Sequence, residues 1–136
     1  MATRPLPDVN DPLTAPFWAA ARESRLTVQR CESCGALRWL PAPICPECLT
    51  AGGAWTDMSG AGTVWSYTVY RRALHPDFAD AVPYTVALVE LAEGVRMVGE
   101  LAEPTPEIAV GQPVTAVFTP VSPEVTVVRW TAAAAS

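Results

Sequence analysis

Cys31-Glu32-Ser33-Cys34-Gly35, with ten residues between Cys34 and the following Cys45-Pro46-Glu47-Cys48, is the stretch from which the rest of the chain is read. Two thiolates separated by two residues can face one ion, because the tight turn between them brings the sulfurs together. Two such knuckles complete a tetrahedron of soft ligands, which suits Zn²⁺. Gly35 offers the left-handed conformation that turns backbone N–H groups toward sulfur, and Pro46 presets the second turn. The loop between the knuckles is long enough for a small β-hairpin carrying Arg38, Trp39 and Leu40. Four protein ligands leave no position for water, so one structural zinc per chain is the expectation. Two alternatives stay open: a rubredoxin-like iron site uses the same thiolates, and a redox dithiol needs only one pair.

The surroundings favour metal. The 136 residues fit one compact domain or a small domain with an appendage, half of them hydrophobic. Pro is frequent, with 14 copies, and only 17% of residues are charged, a balance suited to a β-rich fold with many turns. All nine basic residues are Arg, set against fourteen acids for a net charge of −5. That balance argues against general binding to phosphate backbones. Met1 to Val9 carries no export pattern, and no stretch approaches the roughly 20 apolar residues that span a bilayer. The expectation is a cytoplasmic protein with no membrane or nucleic-acid partner. In that reducing compartment, clustered cysteines point to metal rather than disulfides.

Upstream of the knuckles, residues 1–13 read as an extended arm. Thr14 is placed to cap a short helix through Phe17, Trp18 and Arg22, with Pro16 in its first turn. Two adjacent large aromatics there serve either the chain's own core or a partner. Leu26, Val28 and Arg30 alternate with polar residues, so a short strand leads into Cys31. Downstream, Leu49 to Gly62 gathers Gly52, Gly53, Gly60 and Gly62, and reads as a boundary. Thr63 to Arg72 then alternates and is rich in β-branched and aromatic residues, placing Trp65 and Tyr67 on one face and Tyr70 on the other with Val64, Ser66 and Thr68. Ala73 to Val82 is a loop. Tyr84–Leu91 and Val95–Leu101 form a hairpin through Ala92-Glu93-Gly94, and Val114–Phe118 and Val125–Trp130 complete five strands. Mainly β architecture follows: a short N-terminal helix, a rubredoxin-like zinc ribbon, then a five-stranded OB-fold barrel. The expected divisions are 1–24 for arm and helix, 25–52 for the ribbon, 53–131 for the barrel and 132–136 for a flexible tail.

No catalytic set assembles. All four cysteines are committed to metal, and His75, the single histidine, precedes Pro76 in a loop. There is no nucleophile-elbow, phosphate-loop or dinucleotide motif. The aromatics of the first barrel strand can pack in the core or stack a base, with Arg71 and Arg72 at the strand end positioned to meet phosphates.

The chain resembles the DUF35 family. The matching pieces are Phe17-Trp18, Leu26 with Gln29-Arg30-Cys31 and Cys34-Gly35, Pro41, and Cys45-Pro46 with Cys48. They continue through Gly60, Gly62, Val64 and Ser66-Tyr67-Thr68-Val69, then Pro83-Tyr84 and Val86-Ala87-Leu88-Val89-Glu90-Leu91. Glu93-Gly94-Val95-Arg96, Val110-Gly111 and Pro113-Val114 close an ordered set spanning roughly residues 14 to 130.

The resemblance implies a non-catalytic zinc-binding accessory subunit of a thiolase-fold or lipid-transfer-protein-like enzyme. Such an enzyme acts on acyl-CoA in lipid metabolism, as steroid side-chain aldolases and acetyl-transfer complexes do. It implies a hetero-oligomer in which the partner carries the chemistry and this subunit helps hold coenzyme A. By residue type and position, Tyr67, Arg71, Arg72 and His75 are the candidate CoA contacts, and Phe17, Trp18 and Trp39 the candidate partner contacts. Three rivals remain: an OB-fold oligonucleotide-binding module, an independent CoA-dependent enzyme, and a rubredoxin-type electron carrier.

Overall fold

A computed structural model describes residues 6–73, 75–76, 79–80, 82–103 and 108–133. Helix α1 (Ala15–Arg22) opens the fold with Pro16 in its first turn, where a missing N–H costs nothing. Thr14 stands at the N-cap, but its side chain makes no capping hydrogen bond; its carbonyl accepts from the Phe17 and Trp18 N–H groups instead. The buried stripe is Phe17, Ala20 and Ala21.

Strands β1 (Leu26–Arg30), β2 (Leu37–Arg38) and β3 (Ala54–Met58) form a three-stranded antiparallel sheet in the order β2-β1-β3. The hairpin expected between the knuckles is not there. β2 pairs instead with β1 across the first knuckle, Gln29 opposite Arg38 and Arg30 opposite Leu37. The glycine-rich boundary stretch likewise holds a strand, with β3 paired along the whole of β1. The first four residues of β1 are buried rather than alternating, although β2 reaches only Gln29 and Arg30.

The second sheet contains β4 (Ala61–Tyr70), β5 (Tyr84–Leu91), β6 (Arg96–Glu100), β7 (Pro113–Pro120) and β8 (Thr126–Ala132) in the order β6-β5-β4-β7-β8. A parallel bridge between Leu101 and Trp130 links its two ends, and the Ala102 N–H donates to the Trp130 carbonyl at 2.8 Å. Five strands joined in this way make a nearly closed barrel of the OB type. The expected strands are all present, and the β5–β6 hairpin turns through residues 92–94 as read.

Burial in β5 alternates strictly, Thr85, Ala87, Val89 and Leu91 facing inward. They meet Val64, Met97, Val114 and Trp130 in one apolar cluster that also takes in Phe17, Leu26 and Val28. Ribbon sheet, helix and barrel therefore share a core. At roughly 25 cal/mol per Å² of apolar surface, that continuity stabilises the helix more than its eight residues could alone. Of the expected flexible tail, 132–136, Ala132 instead ends β8 paired with Val114, and 134–136 lie outside the described residues.

Candidate metal centre and barrel face

The two knuckles fold alike. In the first, the Gly35 N–H donates to the Cys31 carbonyl at 2.9 Å and the Cys31 N–H to the Ala36 carbonyl at 2.9 Å. In the second, the Leu49 N–H donates to Cys45 at 2.8 Å and the Cys45 N–H to Thr50 at 2.9 Å. All four Sγ atoms of Cys31, Cys34, Cys45 and Cys48 lie within 4.8 Å of one another. Two separations cross between the knuckles: 3.5 Å for Cys31–Cys48 and 3.7 Å for Cys34–Cys45. A tetrahedral zinc with Zn–S bonds of about 2.3 Å requires sulfur separations of about 3.8 Å, so the donor set fits that ion.

The thiols respond unequally to this crowding. N–H groups of Cys34 and Ser33 hold the Cys31 thiol below its usual range. The Thr50 hydroxyl and N–H, helped by Cys31, bring Cys48 down to about 6. For Cys34 the Ala36 N–H favours the thiolate, but burial and the neighbouring sulfurs outweigh it and push the thiol up to about 11. Neighbouring thiolates repel one another, and a cation among them removes that obstacle.

Arg38 braces the site from behind. Its guanidinium is buried; Nε donates to Gln29 Oε1 at 2.7 Å, and Nη2 to the Ala42 and Gly52 carbonyls at 2.9 and 2.7 Å. Gln29 Oε1 also accepts from the Ala42 N–H at 2.8 Å. One side chain thus ties β1, the inter-knuckle loop and the exit from the second knuckle. Sequence reasoning placed Arg38 on a hairpin and missed this role, since two of its three acceptors are backbone carbonyls that no residue type announces.

The aromatics divide in a way adjacency did not reveal. Phe17, a candidate partner contact, is only 4% exposed. It meets the Trp18 ring edge-on at 5.0 Å and the Trp39 ring at 4.4 Å. It is a core anchor and cannot itself present to a partner. Trp18 and Trp39 are half-buried against it.

On the barrel, the pairing of β4 with β5 shifts register between Val64 and Ser66. The bulge at Trp65 reverses the face parity beyond it. Val64 pairs with buried Val89, and Tyr67 with buried Ala87, while Ser66, Thr68 and Tyr70 pair with Leu88, Val86 and Tyr84 on the outer face. Trp65 points outward, 49% exposed, with the Arg96 guanidinium 3.8 Å above its ring. Thus Trp65 and Tyr67 do not share a face, and Val64 does not share one with Tyr70. Arg96, which sequence reasoning missed, is held there by Glu90 at 3.3 Å.

A shallow groove of about 140 Å³ over the far half of β4 is lined by Ser66, Thr68, Tyr70, Val86, Leu88 and Val98, and is reached by Tyr67, which is 39% exposed despite its inward register. The rings of Tyr70 and Tyr84 stack at 5.1 Å at one end. Arg71, Arg72 and His75 are exposed beyond the end of β4. No helix among the described residues is long and apolar enough to cross a membrane.

A rubredoxin-like ribbon laced to an OB barrel defines the class of protein. Residues 18–52 match the family model for the ChsH2 rubredoxin-like zinc ribbon domain, and residues 55–119 the model for the ChsH2 C-terminal OB-fold domain. A DUF35 domain-containing scaffold protein of Methanocaldococcus jannaschii is 32% identical over 113 residues, covering 81% of this chain and 79% of that one. In a solved structure titled as an Ltp2-ChsH2(DUF35) aldolase, one chain is 38% identical with a TM-score of 0.79, covering 93% of this chain and 97% of that one. The chain belongs to the DUF35 family. A probable enoyl-CoA hydratase alpha subunit of Thermomonospora curvata is 41% identical over 127 residues, 92% of this chain, yet the match spans only 39% of that relative's length.

Proposed function

We propose that the chain is a non-catalytic, zinc-binding accessory subunit of a thiolase-fold enzyme that acts on acyl-CoA, such as a steroid side-chain aldolase or an acyl-transfer complex. The observation that carries this reading is the likeness, over 93% of its length, to the DUF35 chain of a solved aldolase assembly. The residues agree with it. Cys31, Cys34, Cys45 and Cys48 form a closed donor set, and a zinc held there supplies cross-linking of two knuckles rather than chemistry. With those four sulfurs committed to metal, no cysteine is left to act as a nucleophile.

The CoA role rests on the barrel groove. Tyr67 on its wall and the stacked Tyr70–Tyr84 pair offer aromatic surface for an adenine. Arg71 and Arg72, with His75 beside them, offer cations for the phosphates. Trp18 and Trp39 are the proposed partner contacts, as aromatic side chains anchored on a buried neighbour.

The test is affinity purification of the native chain from its source cell, followed by identification of what accompanies it and acyl-CoA assays on both preparations. A stoichiometric thiolase-fold subunit, with turnover only in the assembly, is the expected result. Turnover by the chain freed of any companion enzyme overturns it.

A further inference from the structure

The second knuckle contains a residue that its own backbone does not favour. Gly35 and Leu49 hold equivalent places, each directly after the second cysteine of its knuckle and each donating its N–H to the first cysteine's carbonyl. Both adopt left-handed backbone, Gly35 at φ 78° and Leu49 at φ 64°. Glycine takes that conformation without penalty, whereas a branched side chain is strained in it. The fold gains nothing visible in return, because the Leu49 side chain is not buried: the residue is 77% exposed. Ile44, joined to the same knuckle by its bridge to Ala51, is 52% exposed, and Leu40 on the loop leading in is 73% exposed. Leu49 and Ile44 are therefore large apolar side chains left exposed on the second knuckle, with Leu40 exposed on the loop leading to it, and Leu49 is kept at a cost in backbone strain.

We propose that Leu49, with Ile44 and Leu40, is an apolar plug by which the ribbon tip enters a pocket on the partner enzyme subunit, an assignment that rests on the accessory-subunit reading above. The occupant's chemistry follows from the charges around the plug. Glu47 within the second knuckle and Glu32 within the first are both exposed, against Arg30, whose guanidinium lies beside Gly35; four thiolates around one divalent zinc would add a formal dianion, so the balance stays negative. An apolar pocket rimmed by Arg or Lys complements that surface, whereas a second copy of this acidic tip does not.

Leu49→Gly separates this role from a structural one. It deletes the plug while relieving the strained backbone, so the ribbon should bind zinc and resist heat at least as well as before. The probe is the enzyme subunit recovered with the wild-type chain and then purified, with its affinity read by titration calorimetry. Leu49→Gly should weaken binding about tenfold or more, in the range seen when an interface anchor is removed, and Ile44→Ser should do the same. The wild-type association should also slow as salt rises.

Recovery of no enzyme subunit defeats the accessory reading and this one with it. A subunit that binds wild type and both variants equally defeats only the plug. Loss of zinc or a lower melting temperature in Leu49→Gly assigns the side chain to the fold and overturns the proposal. Self-association that disappears in Leu49→Gly gives the plug to a second copy and overturns the choice of occupant.

Discussion

Gly99 in β6 lies directly against the indole of Trp130 in β8: a Cβ built on Gly99 would sit 2.5 Å from Trp130 Nε1 and 3.2 Å from the Val128 carbonyl. Trp130 is fully buried at the seam where the two ends of the sheet meet, so this contact sets how closely the barrel shuts. Gly99→Ala is predicted to destabilise the protein by about 1–3 kcal/mol through overpacking. In thermal melts, the double variant Gly99→Ala/Trp130→Phe should lose less than the two single changes added together. Strict additivity would mean that the contact is not what makes Gly99 necessary.

Cys45→Ser is predicted to abolish stoichiometric zinc and unfold the ribbon, while strand signals from the barrel persist. The apparent contribution of a structural zinc in peptide sites is roughly 10–16 kcal/mol at neutral pH, far more than the β2 pairing can replace. Elemental analysis of wild type should give one zinc per chain. Iron in place of zinc would transfer the site to the rubredoxin reading.

Acid should weaken zinc binding in two stages. Cys48, brought down to about 6 in the metal-free fold, is already a thiolate at pH 7, so zinc displaces no proton from it there. As pH falls through that value Cys48 takes up a proton, and binding must then expel it. The slope of log affinity against pH is therefore predicted to steepen by about one proton below pH 6. A constant slope in competition titrations from pH 5 to 8 would show that the metal-free knuckles do not hold the arrangement around Thr50.

Arg38→Met keeps much of the side chain's length but removes its donors to Gln29, Ala42 and Gly52. Unpaired buried carbonyls each cost about 1–3 kcal/mol, so the ribbon should loosen. A chelator should extract zinc several-fold faster from this variant than from wild type. Equal extraction rates would remove Arg38 as the brace.

Phe17 and Trp18, neighbours in sequence, are predicted to fail in different assays. Phe17→Ala should cost about 3–5 kcal/mol of folding stability, since it empties a core position. Trp18→Ala should cost less stability than Phe17→Ala, because Trp18 is only half-buried against it, and should weaken partner binding by about thirtyfold, the equivalent of about 2 kcal/mol. Unchanged affinity in both Trp18→Ala and Trp39→Ala would remove this side of the proposed contact.

The barrel strands and the metal ligands were legible because each is written locally, in alternation along β4, in the apolar run of β5 and in cysteine spacing. β3 was not, because its residues between Gly53 and Ser59 become a strand through pairing with β1, a choice made elsewhere in the chain. Nor was the bulge at Trp65. An extra residue in one strand is defined only against its partner's register, and it sent the outward and inward assignments beyond it to opposite faces. Adjacent residues on a helix point about 100° apart, which is why Phe17-Trp18 could not serve one surface together.

Helix α1 touches β1 of the ribbon sheet and β7 and β8 of the barrel, and Phe17 sits in the apolar cluster that all three units share. Such a wedge removes the swing that a plain linker would leave between two small modules. The cysteine tip and the outer barrel groove are then tied to one shared core rather than hung on a free linker. A body gripping one of them would find the other already placed, with less chain entropy left to lose than a flexible linker would leave.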